Sequence, residues 1–203
     1  MHAIAATTAA VALLALGCGT RTSTTNTWSA TASMPRTIDR VLVFGAGMTE
    51  TERRGLEEGL VDRLRKEGVD AIASYTMFST LPDRDRARAA AREAGIAGAL
   101  VAKVRGVRER QTYVPGHMNG GFWAGYYGPG WGGMYSPGYV VTDEIVMVET
   151  TLWDVRGNGD GIHIWSSTTQ TVNPRNTSDF AGSLAKEIVP NLLEADLVKS
   201  RRR

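Results

Sequence analysis

Apolar and polar positions along this chain follow two periods, and the switches between them predict its elements. Val41-Leu42-Val43-Phe44 is a short unbroken apolar run, which reads as a buried strand. Gly45-Ala46-Gly47 follows as a turn. Thr49 and Glu52 then have the spacing of a capping box, in which each side chain satisfies an orphan backbone donor. Leu56, Leu60 and Leu64 recur every fourth residue with Val61 beside them, a helical stripe flanked by charge and closed by Gly68. Val69 to Phe78 reads as a second strand. Asp83 to Ala94 is an alanine-rich helix followed by Gly95, with Ala87, Ala90, Ala91 and Ala94 small enough to approach a sheet closely. Ala99 to Val107 is a third strand. Val140 to Val155 is a long alternating strand, joined by a Gly-rich turn to a partner from Gly161 to Val172. Ser178 is placed to cap a last helix carrying Phe180, Leu184, Ile188 and Leu192, and Pro190 should kink that helix or end its first part.

The order β-α-β-α-β-loop-β-β-α predicts an α/β (α+β) fold, a mixed sheet with helices packed on it. Units of the βαβ type impose right-handed crossovers and parallel neighbours. A composition of 42% apolar and 22% charged residues is that of a globular protein.

The N-terminus changes the picture. Ala9 to Leu16 is an apolar run too short to span a bilayer, which takes about 20 residues. It ends in Gly17-Cys18-Gly19, the layout of a bacterial lipoprotein signal, with residues 1–17 as the signal peptide and Cys18 as the acylated residue. The competing readings are a frayed terminus or an extra core helix. Ala15 stands where such signals usually have Leu, and no cationic residue precedes Arg21. Gly19, in place of an acidic retention residue, favours the outer membrane with the domain facing the periplasm. Residues 18–35, rich in Thr, Ser and Ala, read as a flexible tether. Trp28 within it docks on the domain or on the membrane surface, or simply stands exposed. Residues 36–198 form one predicted domain, and 199–203 a basic tail.

A single cysteine excludes a disulfide within the chain. A net charge of +2 is too small to imply nucleic acid. Gly45-Ala46-Gly47 is not a dinucleotide fingerprint, because Glu50 replaces the third Gly and Glu52 would repel a pyrophosphate. The Gly-rich turn at 156–161 fails as an EF-hand, since Arg156 and Ser167 fall on ligand positions. His117 and His163 lack metal-ligand spacing, so neither a metal nor a cofactor is expected. No Gly-x-Ser-x-Gly elbow is present. Glu109, Asp143, Glu144 and Glu149 could supply acids near the sheet end, yet solvation of a strand face accounts for them. The expectation is a protein without catalytic activity.

Between Thr112 and Tyr139 the composition turns to Gly, Pro and aromatics, with no helix or strand pattern. Trp123, Tyr126, Tyr127, Trp131 and Tyr135 each join an apolar ring to a polar handle, which suits contacts with protein or lipid headgroups. This is the expected interaction loop. A disordered low-complexity segment and a flap folded over an open sheet face stay open beside it.

Val41 to Gly45, Ala73-Ser74-Tyr75, Leu81-Pro82, Ala97 to Val101, Thr151-Leu152-Trp153-Asp154-Val155 and Ile164-Trp165-Ser166 together resemble uncharacterised bacterial lipoproteins of the domain-of-unknown-function kind. Such domains are similar to the α/β periplasmic modules of the Tol translocation protein's N-terminal domain and the curli-secretion lipoprotein. The resemblance implies envelope assembly or secretion. A curli-type pore requires long alternating membrane hairpins, and the Gly-rich insertion lacks that alternation. Expected partners are the membrane, through the N-terminal lipid, and an envelope protein or a second copy of the chain. A small-ligand or envelope-glycan binder is the alternative, and an envelope hydrolase the third reading.

Overall fold

The computed structural model describes residues 20–30, 37–78, 83–119, 134–157, 159 and 161–201. A six-stranded sheet runs in the order β1 (Arg21–Ser29), β8 (Ile162–Val172), β7 (Tyr139–Asp154), β4 (Gly98–Val114), β2 (Arg40–Ala46) and β3 (Asp70–Ala73). β2 lies parallel to β3 and β4, and the other neighbours are antiparallel. Two short strands, β5 (His117–Asn119) and β6 (Met134–Ser136), pair with each other apart from this sheet. The helices among the described residues are α1 (Glu50–Lys66), α2 (Arg84–Glu93) and α3 (Thr177–Glu194). The mixed sheet with helices packed on it is the expected α+β class.

One sheet face is covered by α1 and α3. Leu56, Leu60 and Leu64 from α1, with Leu184, Ile188 and Leu192 from α3, bury against Val41, Val43, Leu100, Val148, Leu152 and Trp165. Each such side chain contributes roughly 1.5–3 kcal/mol on leaving water. The two helices can touch because Gly59 sits over Ala181, where a Cβ on Gly59 would come 2.7 Å from the alanine methyl. On the other face α2 covers only one corner, with Ala90, Ala91 and Ala94 near Leu42, Phe44, Ile72 and Phe78.

The capping box is formed as its spacing predicts: Thr49 accepts from the Glu52 amide, and Glu52 accepts from the Thr49 amide. Glu50, beside it, accepts from both Arg53 and Arg54, which hold its carboxyl down at about 2. A carboxyl depressed below its ordinary 4.5 stabilises the fold above that value, and the contribution is lost as pH falls toward about 2. Glu50→Gln is therefore expected to flatten the acid limb of a stability–pH curve between those limits. Because Glu50 is exposed, added salt should shrink the difference.

Several expectations are corrected. Residues 21–29, read as tether, are an edge strand paired with β8. Their inward side chains meet hydroxyls rather than hydrocarbon: Thr22 bonds Thr171 and Ser183, and Thr24 donates to Glu187. The second strand stops at Ala73 and turns into a 3₁₀ segment, Ser74–Thr76, because Ser74 Oγ and the Tyr75 amide are captured by the buried Glu57 carboxylate. The cap of α3 is Asn176, which accepts from the Asp179 amide, and not Ser178. α3 continues through Pro190 to Glu194, its flanking Val189 and Leu192 held in the core. Part of the basic tail is tied down, with the Lys199 amide donating to Ile38 and the Arg201 amide to Gly68.

Candidate functional site

The third strand outruns its prediction. β4 continues to Val114 and β7 starts at Tyr139, so Thr112–Val114 and Tyr139 are strand residues where the composition suggested a loop. β2 ends opposite Lys103, and β8 ends opposite Ile145. Beyond that level Glu109–Val114 and Tyr139–Glu144 pair, among the described residues, only with each other. At about 3.4 Å per residue they form a two-stranded ribbon reaching roughly 20 Å past the sheet.

Period-2 alternation divides the ribbon into two faces. Glu109 opposite Glu144, Gln111 opposite Thr142 and Tyr113 opposite Val140 lie on one. Arg110 opposite Asp143, Thr112 opposite Val141 and Val114 opposite Tyr139 lie on the other. Both faces are polar near the domain and apolar at the tip. Tyr113, Tyr139, Val140 and Val141 are 65%, 59%, 58% and 36% exposed. Gly138 allows the close approach there, because the Tyr113 hydroxyl and the Gly116 amide occupy the space of a Cβ, and the chain runs on into β5 and β6.

Asn173 clamps the root of the ribbon. Its side chain donates to Asp143 and accepts from the Glu144 amide, each at 2.8 Å, and its own amide donates to the Glu144 carbonyl. It does this from a left-handed backbone at φ 48°, a conformation Asn tolerates better than most residues. Hydrogen bonds from Arg110 and Asn173 hold the Asp143 carboxyl below its ordinary range. Asn173→Ala loses two side-chain hydrogen bonds, each worth about 0.5–1.5 kcal/mol, and exchanges a residue that tolerates the left-handed conformation for one that tolerates it less. Amide exchange over 140–144 should speed up accordingly.

Thr20 and Arg21, where the described residues begin, lie at the same sheet end. Arg21 pairs with Val172, which pairs with Ile145 at the ribbon root. Thr20 is fixed to the domain, its hydroxyl donating to the Asp179 carboxylate and to the Asn173 carbonyl. The Thr20 bond is the largest cause lowering the Asp179 carboxyl.

Of the aromatic candidates, Tyr135 lies in β6, its backbone opposite Met118. Trp123, Tyr126, Tyr127 and Trp131 lie outside the described residues, as do Cys18 and the predicted signal peptide. The structure thus supplies the ribbon that carries the aromatic segment. Trp28 docks at the far end of the sheet. Its ring centroid is 4.9 Å from that of His163, which is also 4.9 Å from Trp153. His163 Nε2 is buried in this sandwich and has no hydrogen-bond partner among the described residues.

The expected acids are spread out. Asp143 pairs with Arg110 at 3.0 Å and Glu149 with Arg105 at 3.5 Å, while Glu109 and Glu144 face each other on the ribbon. The Gly45 amide, which a phosphate would need, already donates to Glu57 at 2.9 Å. Among the described residues no group of three His, Cys, Asp or Glu is placed to hold a metal, and no helix is long and apolar enough to cross a membrane.

Sequence reasoning missed the buried pair Arg53 and Glu57. One signal was available: both lie in phase with Leu56 and Leu60 on the apolar face of α1.

No family model and no curated protein matches the chain. Among solved structures it is similar to a PelC dodecamer from Paraburkholderia phytofirmans, at TM-score 0.47 and 17% identity over 89% of this chain and 99% of that one. It is similar also to lipoprotein GNA1162 from Neisseria meningitidis, at TM-score 0.41 and 12% identity over 76% and 98% of the two chains. A minor lipoprotein from Acinetobacter baumannii gives TM-score 0.24 and 16% identity over 75% and 94%.

Proposed function

We propose that this chain is a non-catalytic lipoprotein of the bacterial cell envelope. Acylated Cys18 holds it to the outer membrane facing the periplasm, and the ribbon with the 112–139 segment is its contact element toward an envelope protein or a second copy. The observation that carries this reading is the collection of exposed apolar residues on the ribbon just before it runs into β5 and β6, Tyr113, Tyr139, Val140 and Val141. Exposed apolar patches of this kind mark interaction sites. A free two-stranded ribbon is marginally stable in water, so a partner surface would complete it. The assembly or secretion role implied by the resemblance to the Tol and curli-secretion modules belongs to the same reading.

The test replaces Trp123, Tyr127 and Trp131 together by Ala and measures partner capture by crosslinking in intact cells. Capture should fall while the unfolding midpoint stays in place. Unchanged capture would remove the segment from the contact surface.

The alternative, a glycan or small-ligand binder, draws on the Trp28–His163–Trp153 stack, which leaves the Trp28 ring 48% exposed as a flat platform. Binding of purified cell-wall glycan that Trp28→Ala abolishes would favour it.

A further inference from the structure

We infer that the sheet face turned away from α1 and α3 binds an acidic polysaccharide. The inference rests on the glycan-binding alternative above and names the class of glycan, and it leaves the ribbon free to act as a protein contact. Strand alternation builds this face. Thr150, Ser167, Thr169 and Thr171 turn into the helix-covered layer and are buried. Their neighbours Thr151, Ser166, Thr168 and Gln170 therefore point the other way. On that side α2 covers only the corner around Leu42 and Phe44, so β1, β8 and β7 carry no helix there among the described residues. The register lines the outward residues into rows. Trp28 stands with Ser166 and Thr151, Asn26 with Thr168, Glu149 and Lys103, and Arg21 with Val172, Ile145 and Arg108. From Ser166 in the first row to Val172 in the last, β8 runs roughly 20 Å at about 3.4 Å per residue. That length suits a polymer lying along the strands rather than a single sugar.

The side chains on the face select the ligand. Trp28 is held in place by its stack on His163 and Trp153, and the Trp153 indole N–H donates to Thr151 Oγ1 at 3.0 Å. A fixed, flat aromatic surface takes the C–H face of a pyranose ring with little ordering cost. Ser166, Thr168 and Gln170 follow along β8, each able both to donate and to accept, which matches the hydroxyls of a sugar. Charge supplies the sign. Arg21, Lys103, Arg105 and Arg108 stand exposed on this face against Glu149. Farther along, Arg110 and Asp143 neutralise each other at 3.0 Å. Arg105 pairs with Glu149 at 3.5 Å, while Arg21, Lys103 and Arg108 make no ion pair among the described residues. A surplus of cations along an extended track complements a chain of carboxylates. Between the Trp28 row and the Arg21 row, Trp28 is the only exposed large apolar side chain among the described residues. The face therefore lacks the hydrophobic centre of a protein interface and the apolar residues that would enter a bilayer.

The test is calorimetric titration of the full-length chain, kept in a sugar-free detergent, with galacturonate, alginate and hyaluronan oligosaccharides. Each is run beside the same oligosaccharide with its carboxylates methyl-esterified. At least one acidic oligosaccharide should bind about tenfold more tightly than its ester, and added salt should weaken it. Trp28→Ala should weaken that binding by about tenfold. The double change Lys103→Gln and Arg108→Gln should bring the acid down to the level of its ester. The unfolding midpoint should hold in these variants, because all three side chains are exposed. Acid and ester bound equally, and both lost in Trp28→Ala, would overturn the acidic assignment while the glycan-binding alternative stands. Binding of none of the oligosaccharides would overturn both. Capture of phosphatidylglycerol vesicles through Lys103 and Arg108 in that case would assign the face to anionic lipid.

Discussion

Replacing Glu57 by Ala is expected to destabilise the domain by about 3–5 kcal/mol, the range for removing one partner of a buried ion pair. Glu57 is fully buried, and Arg53 is 3% exposed. One carboxylate oxygen accepts from the Gly45 amide, Ser74 Oγ and Arg53 Nη1, and the other from the Tyr75 amide. These bonds join α1 to the end of β2 and to the turn after β3. Removing the carboxylate leaves the Gly45 and Tyr75 amides and the Ser74 hydroxyl without this acceptor, while Arg53, still bonded to Glu50 and Ser74, loses its buried counter-charge. Glu57→Gln keeps an acceptor and should lose less. Urea unfolding followed by far-ultraviolet circular dichroism gives the difference. A loss under about 1 kcal/mol for the Ala variant would mean that this network does not bind α1 to the sheet.

Trp165→Ala is the second large effect, at about 3–5 kcal/mol, the range for truncating a buried aromatic. Trp165 is 1% exposed on β8, facing the layer in which α3 places Leu184, Ile188 and Leu192. Its loss opens a cavity where β8 and α3 meet, and the neighbours in a close-packed interior fill such a space only in part. The unfolding midpoint should drop with little change in the slope against urea. Trp165→Phe, which leaves a smaller void, should fall between the Ala variant and the unaltered chain. A near-neutral Ala variant would contradict the packing of α3 on this strand.

The parts of the fold that were legible in the sequence are those where local chemistry and burial agree. α1 was readable end to end because Thr49 and Glu52 cap it, Leu56, Leu60 and Leu64 mark its buried face, and Gly68, at φ 81°, follows its end. β2 was readable because its residues are apolar on both faces. β1 was hidden since Thr22 and Thr24 point at hydroxyls and a carboxylate, so burial left no apolar alternation to detect. Composition also concealed the ribbon: the Gly-rich segment drew Thr112, Tyr113 and Val114 into a presumed loop, while their pairing with residues 139–141 is a matter of long-range register. The functional site followed the same division. The aromatic segment stood out in the sequence, but that it rides on a ribbon rooted near Arg21 depends on the strand order β1-β8-β7-β4, which no local pattern encodes.

The ribbon-borne segment is proposed as the contact element of an anchored envelope protein. Crosslinking in intact cells compares the full chain with one in which residues 115–138 are replaced by an Asn-Gly turn. Val114 and Tyr139 are already cross-strand neighbours, so a two-residue turn can close the ribbon. A partner captured by the full chain should be lost on replacement, with both chains membrane-bound and equally stable. The same partner captured equally by both would contradict it.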